Sequence, residues 1–262
     1  MKQLIILLII ISNNSFAQNE IPYGNNPEKG KYIEVNGAKL YYEIYGEGEP
    51  LLLIHGNKTG VKGWKPQIET FSKLYKVIAV DCRGRGNSEL KCDSLSYLQT
   101  AHDVSQFIEL MNLDEVNVLG KSDGGIVGLL LGIHYPNRIK KIIAFGANIS
   151  PDTTALYPKI VAEIQAERIH AEKMISEGDT TDNWNIVLLR NRMMEFQPNI
   201  LISDLKKIKV PVLIMSCDRD VIKEEHTLLI YQSILNCNLS IFPGEVHGVT
   251  RGNPELFNST VL

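Results

Sequence analysis

The most restrictive stretch of this chain is Gly120-Lys121-Ser122-Asp123-Gly124-Gly125. It follows an apolar run, Val116-Asn117-Val118-Leu119, that reads as a buried strand. It precedes Ile126-Val127-Gly128-Leu129-Leu130-Leu131, which continues as a helix. A glycine two places before a serine and another two places after it suit a strand that turns directly into a helix. A Cβ at either place would meet neighbouring backbone. The serine at the apex of such a turn is held in strained geometry with its hydroxyl raised above the sheet, and the helix N-terminus behind it favours developing negative charge. Ser122 is therefore the candidate nucleophile. A plain glycine-rich turn looks similar over so few residues, so the rest of the chain has to supply the serine's partners.

Around that turn the chain alternates strands with helices. Residues 31–35 and 40–45 alternate and are rich in β-formers, and Asn36-Gly37 between them is a hairpin signal. Residues 51–54 form a continuous apolar run, as a strand buried on both faces requires. Further strands are expected at 76–80, 139–145, 210–215 and 239–242. Helices are expected at 67–74 and at 96–111, the latter with Leu98, Val104, Phe107, Ile108 and Met111 on one side. This rhythm predicts an α/β fold: a mostly parallel eight-stranded sheet with helices on both faces, opened by an antiparallel hairpin. Residues 150–209 break the rhythm. They hold helical pattern at 160–175 and 184–194 without a sheet-type apolar run, and read as a small helical cap inserted after the sixth strand; a long crossover is the alternative. Residues 18–29 read as a loose leader, so 18–262 is taken as one domain. From Pro254 onward the chain is short for a closing helix.

Lys2, the apolar run 4–11 and Ser15-Phe16-Ala17 fit a secretory signal peptide, residues 1–17, cleaved after Ala17. The run is too short to span a bilayer, and no cysteine for lipid attachment follows it, so export without a stable membrane anchor is expected; an uncleaved anchor is the alternative. A net charge of -3 gives no electrostatic ground for nucleic-acid binding. The four cysteines, Cys82, Cys92, Cys217 and Cys237, match no zinc spacing. Buried free thiols are expected, with a Cys82–Cys92 bridge as the alternative. Cys217 and Cys237 fall at opposite edges of the sheet, too far apart to pair.

A serine hydroxyl needs a base, and the base needs an orienting carboxylate. Downstream of Ser122 stand His134, His170, His226 and His247. His134 falls in the elbow helix, His170 in the cap, and His226 at the start of a helix. His247 follows the last strand in a flexible loop and is the chosen base. After the preceding strand, Cys217-Asp218-Arg219-Asp220 offers two acids. Asp220 is preferred because it sits further into the loop, while Asp218 suits a local turn bond or a pair with Arg219. Asp81 lies upstream and is assigned to ordering the Arg83 and Arg85 loop. An oxyanion needs two aimed N–H donors, taken as the backbone N–H groups of Asp123 and Asn57. His55 is expected to pack and bond locally.

Together these residues resemble the alpha/beta-hydrolase fold family of serine hydrolases. His55-Gly56 is similar to its oxyanion turn, Asp81-Cys82-Arg83-Gly84-Arg85-Gly86-Asn87-Ser88 to its D-x-R-G-x-G-x-S loop, and the elbow to its G-x-S-x-G; Asp220 and His247 match its acid and histidine positions. The resemblance implies a Ser122–Asp220–His247 triad working without cofactor or metal on a small-molecule substrate. It leans toward small esterases and amino-acid ester hydrolases. Serine at the elbow argues against the haloalkane dehalogenases, and Asn57 departs from the bulky apolar residue common after His-Gly. Alternative roles are lactone, C–C or N-terminal peptide cleavage by the same triad, or a non-catalytic ligand-binding protein. For substrate charge, Asp123 is a candidate to hold an ammonium or else to bond to the cap. Lys58, Lys62, Lys65 and Lys121 favour an anion, or are simply solvated.

Overall fold

Strands covered on both faces send alternate side chains into different layers. In the computed structural model, which describes residues 21–262, Leu52 and Ile54 join one core with Ile78 and Val80, while Leu51 and Leu53 join another with Val77 and Ala79. The strands are β1 (Gly30–Val35), β2 (Ala38–Tyr45), β3 (Glu49–Ile54), β4 (Tyr75–Val80), β5 (Val116–Lys121), β6 (Ile139–Phe145), β7 (Val212–Arg219) and β8 (Cys237–Val246). They form one eight-stranded sheet in the order β1-β2-β4-β3-β5-β6-β7-β8. β2 pairs antiparallel with β1 and β4, and every other neighbouring pair is parallel. The β1–β2 turn places Asn36 at φ 48° and Gly37 at φ 75°, the two positive values a tight hairpin needs.

One face of the sheet is covered by α1 (Lys65–Phe71), α8 (Val249–Gly252) and α9 (Pro254–Val261), through Ile68, Phe71, Val249 and Phe257. The other face carries α2 (Tyr97–Leu110), α3 (Asp123–His134) and α7 (Glu224–Ser233). In α2 the buried stripe is Tyr97, Ala101, Val104 and Ile108, with Phe107 beside it, and Ser96 caps the helix by accepting from Gln99 N–H at 3.0 Å. Leu98, expected on this face, is 49% exposed. It sits one residue, about 100° of turn, away from the stripe.

The cap lies between β6 and β7 as α4 (Pro158–Ser176), α5 (Trp184–Phe196) and α6 (Ile202–Leu205). Arg168 of α4 pairs with Glu195 of α5, and a bridge between Leu156 and Ile222 ties the approach to α4 to the loop after β7. Only Ala171 of α4 is fully buried; Ile160 and Ile164 line a cavity, and Ile164 also packs against the small cluster of Ala155, Leu156 and Ile222.

Residues 21–29 are not loose. Glu43 is completely buried on β2, and its carboxylate accepts the backbone N–H groups of Gly24 and Asn26, each at 3.0 Å, and the hydroxyls of Tyr41 and Tyr45. A buried carboxylate without donors is costly, so the segment is fastened where those donors are needed. Residues 1–17, expected to be a signal peptide, and residues 18–20 lie outside the described residues. β7 and β8 run further than their apolar runs suggested, which puts Cys237 inside β8. All four cysteines are free thiols. Cys217 stands opposite Phe242 and Cys237 opposite Val212, at different ends of the β7–β8 ladder.

Candidate active site

The elbow geometry follows from two close approaches. A Cβ on Gly120 would stand 2.0 Å from the Gly124 carbonyl oxygen, and a Cβ on Gly124 would stand 1.9 Å from that of Ile54. Only glycine lets β5 turn so tightly into α3 while α3 presses on β3. Ser122 between them has φ 55° and ψ -119°, a conformation that costs a non-glycine residue about 1–3 kcal/mol. It is clamped there: Ser122 N–H donates to Phe145 O at 2.7 Å, and its carbonyl accepts from Gly125 and Ile126 N–H at 2.8 and 3.1 Å.

The ends of β7 and β8 bring Asp220 and His247 together. His247 Nδ1 lies 2.6 Å from Asp220 Oδ1, which also accepts from the N–H groups of Val221 and Ile222 at 2.7 and 3.3 Å. Asp220 Oδ2 accepts from Ser216 Oγ at 3.2 Å and Cys217 N–H at 3.4 Å. Burial alone pushes the Asp220 carboxyl up. The His247 hydrogen bond and charge, with the Ile222 and Val221 N–H groups, outweigh it and hold the carboxyl below its ordinary value. A carboxylate only accepts, so Nδ1 carries the proton and Nε2 keeps a free lone pair. The imidazole stacks on Phe145 at 5.7 Å between ring centres. His247 and Ser122 line one cavity of about 370 Å³, together with Gly56, Asn57 and Asp123.

The other acids and histidines are occupied elsewhere. Asp218 neither turns back locally nor pairs with Arg219; both its oxygens accept Gly244 N–H at 2.8 Å, which ties β7 to β8. Asp81 accepts Val61 N–H at 2.7 Å and Asn87 N–H at 2.8 Å, and burial pushes its carboxyl up to about 6. It orders the arginine loop through these amides, while Arg83 pairs with Asp103 at 2.7 Å. His55 Nδ1 bonds to Gly56 O at 2.7 Å and its Nε2 accepts Cys82 N–H at 2.9 Å. His226 Nε2 accepts Ile149 N–H at 3.0 Å. Burial pushes both rings down to about 4. His134 is exposed on α3, and His170 packs edge-on against Trp184 in the cap.

Asp123 opens α3, where an N–H has no acceptor in a preceding turn; it and Asn57 line the cavity together with the serine. Their side chains hold each other: Asn57 Nδ2 donates to Asp123 Oδ2 at 3.0 Å. Tyr97 OH donates to Asp123 Oδ1 at 2.9 Å, and Arg85 Nη2 lies 3.5 Å from Oδ2. Asp123 is thus a braced carboxylate at the cavity wall, and its bonds run to Asn57, Tyr97 and Arg85, not to the cap. Tyr97 and Arg85 were not picked out from the sequence, where nothing links positions 85, 97 and 123. Of the four lysines, Lys58 pairs with Glu167 of α4, Lys121 lines the cavity floor, and Lys62 and Lys65 are not in its lining. Among the described residues, no group of three or more His, Cys, Asp or Glu side chains stands together as a metal site.

A family profile described as alpha/beta hydrolase fold matches residues 49–165, from the start of β3 into α4 and so short of Asp220 and His247. The serine hydrolase BPHL of Mus musculus is 25% identical over 246 residues, 87% of this chain and 84% of that protein. The (E)-2-((N-methylformamido)methylene)succinate hydrolase of Acinetobacter baylyi is 35% identical over 107 residues, and the match spans 41% of either chain. The esterase EaEST from Exiguobacterium antarcticum superposes with a TM-score of 0.77 at 23% identity, covering 88% of this chain and 97% of its own; at that identity the likeness is one of fold.

Proposed function

We propose that this chain, which has the alpha/beta-hydrolase fold, is an exported serine hydrolase cleaving esters of small, partly apolar acyl groups through an acyl-serine intermediate. The observation that carries this reading is the 2.6 Å bond between His247 and Asp220 beside a strained Ser122 in one cavity. Leu156, Ile160, Ile164, Met194, Val221 and Ile222 supply its apolar lining. The serine hydrolase BPHL, matched over most of the chain, supports the reading.

In this mechanism Ser122 Oγ attacks the ester carbonyl while His247 Nε2 takes its proton and passes it to the departing alcohol. Asp220, kept ionised, stabilises the imidazolium that forms. Charge developing on the carbonyl oxygen is met by the Asn57 and Asp123 N–H groups, each such donor being worth about 10²–10³ in rate. Water activated by His247 then attacks the acyl-serine and restores the enzyme. Export rests on Lys2, the apolar run 4–11 and Ser15-Phe16-Ala17.

Ser122→Ala should abolish hydrolysis of a short p-nitrophenyl ester while leaving the circular dichroism unchanged, and a fluorophosphonate probe should label Ser122 in the wild type. Turnover that survives in the variant would overturn the proposal. A wild type that neither labels nor turns over esters would favour a ligand-binding role.

A further inference from the structure

We propose that the cavity floor holds a binding site for a substrate carboxylate, with Lys121 as its cationic anchor, so that half-esters of short dicarboxylic acids are the preferred class. This rests on the serine-hydrolase reading above and deepens it.

Lys121 closes β5 one residue before Ser122 and is one of the residues that line the same cavity. Its ammonium donates to Thr250 Oγ1 at 2.8 Å and forms no ion pair among the described residues. The other cations at this cavity are matched: Lys58 by Glu167, and Arg85, just behind the wall, by Asp123. Of the acids in the lining, Asp123 beside the nucleophile is held by Asn57, Tyr97 and Arg85, and the other two stand on the cap. Glu167 is taken by Lys58, and Glu163 pairs with Lys159 at 3.8 Å. Asp220 is spent on His247 and on the amides of Val221 and Ile222. The charges of the lining are therefore paired, on the cap and at Asp123, except for the Lys121 ammonium, which has no ionic partner among the described residues.

That ammonium is under stress. Burial pushes Lys121 down to about 8; Arg251 of α8 pushes the same way, while Asp220 and Cys217 pull only weakly against them. The other charged groups of the lining are Lys58, Asp123, Glu163 and Glu167. A carboxylate entering beside Ser122 would supply the missing counter-charge, engage the ammonium's remaining N–H donors and offset the repulsion from Arg251. Charge-assisted bonds of this kind, shielded from water, are roughly twice as strong as neutral ones. Because Lys121 adjoins the nucleophile, the carboxylate must lie close to the scissile bond, which points to short diacids. The reaction is hydrolysis alone: the half-ester and water give the diacid and the alcohol.

Two matched pairs test this, monoethyl succinate against ethyl butyrate and monoethyl adipate against ethyl hexanoate. Within each pair a carboxylate replaces a terminal methyl. Ethanol release gives kcat/KM for each. For at least one pair the wild type should favour the half-ester, and Lys121→Met should lower the half-ester to neutral-ester ratio by about tenfold or more, as loss of a shielded charged hydrogen bond does. Lys121→Arg should keep the ratio within about threefold of wild type, since it restores charge and donors. The wild-type ratio should also fall as pH rises past about 8, a readout that needs no variant, and stay flat in Lys121→Met. A ratio that neither the variant nor pH moves overturns the carboxylate site. If Ser122→Ala hydrolyses the neutral esters as fast as wild type, it is the hydrolase reading that fails instead.

Discussion

At Ser122 the backbone holds a conformation most residues avoid, and what secures it is the surrounding hydrogen bonds from β6 and α3. The same economy of space governs His247. Gly146, just after β6, has φ 60°, and a Cβ there would lie 2.5 Å from His247 Cε1 and 2.9 Å from the Nδ1 that bonds Asp220. Gly146→Ala should therefore push the imidazole off its carboxylate. The expected result is a folded protein whose kcat on a p-nitrophenyl ester falls by about 10² or more, the usual consequence of misplacing a catalytic group by an ångström. A kcat equal to wild type would show that the ring has room the structure denies it. Ser122, Asp220 and His247 were legible in the sequence because each combines a reactive side chain with a place just after an apolar strand. The brace of Tyr97 and Arg85 on Asp123 was not. It depends on how α2 and the loop after β4 are folded against α3, and neither residue type is diagnostic on its own.

Elements defined by continuous apolar runs, such as β3 and β5, were legible almost to the residue, because burial on both faces leaves few other compositions. Elements that are half polar were less so. β8 extends from Cys237 to Val246 although its apolar run is much shorter, since an edge strand can be completed by exposed residues such as Asn238 and Gly244. The face of α2 was misread at Leu98 because a one-residue shift turns a helical side chain by about 100°, and only packing against the sheet selects the stripe. The leader is fastened by Glu43, a partner from β2 that local sequence does not announce. At the very start of the chain, the signal segment makes an element-level prediction. Protein recovered from the medium or periplasm should begin at Gln18 by N-terminal mass analysis, and an intact Met1 terminus on exported protein would reject cleavage at Ala17.

The molecule as a whole carries two histidines that must stay neutral to accept backbone N–H bonds, His55 and His226. Both are pushed from an ordinary 6.5 to about 4 by burial. Between those values the unfolded chain binds protons that the fold excludes, so stability is fully present above pH about 6.5 and is lost as pH falls toward 4. The loss is on the order of 3 kcal/mol for the fully buried His55 and less for His226, which keeps some solvent screening. Asp81, raised to about 6, works the other way by keeping its proton in the fold, and offsets part of the slope. Urea midpoints should thus fall from pH 7 to pH 5. His226→Gln, whose amide oxygen can accept the Ile149 N–H without titrating, should make that fall shallower; an unchanged slope would remove His226 from the account. The sequence by itself determined the order of strands and helices, the elbow and the candidate acid and base, because hydrophobic periodicity and reactive side chains are local properties. Only the tertiary structure decided which carboxylate reaches His247, what braces the Asp123 side chain, and that, of the two lysines lining the cavity, Lys121 has no ionic partner among the described residues. Those outcomes are set by where loops from distant strands meet at one edge of the sheet, and at the elbow itself by whether the space around Gly120 and Gly124 is filled with backbone.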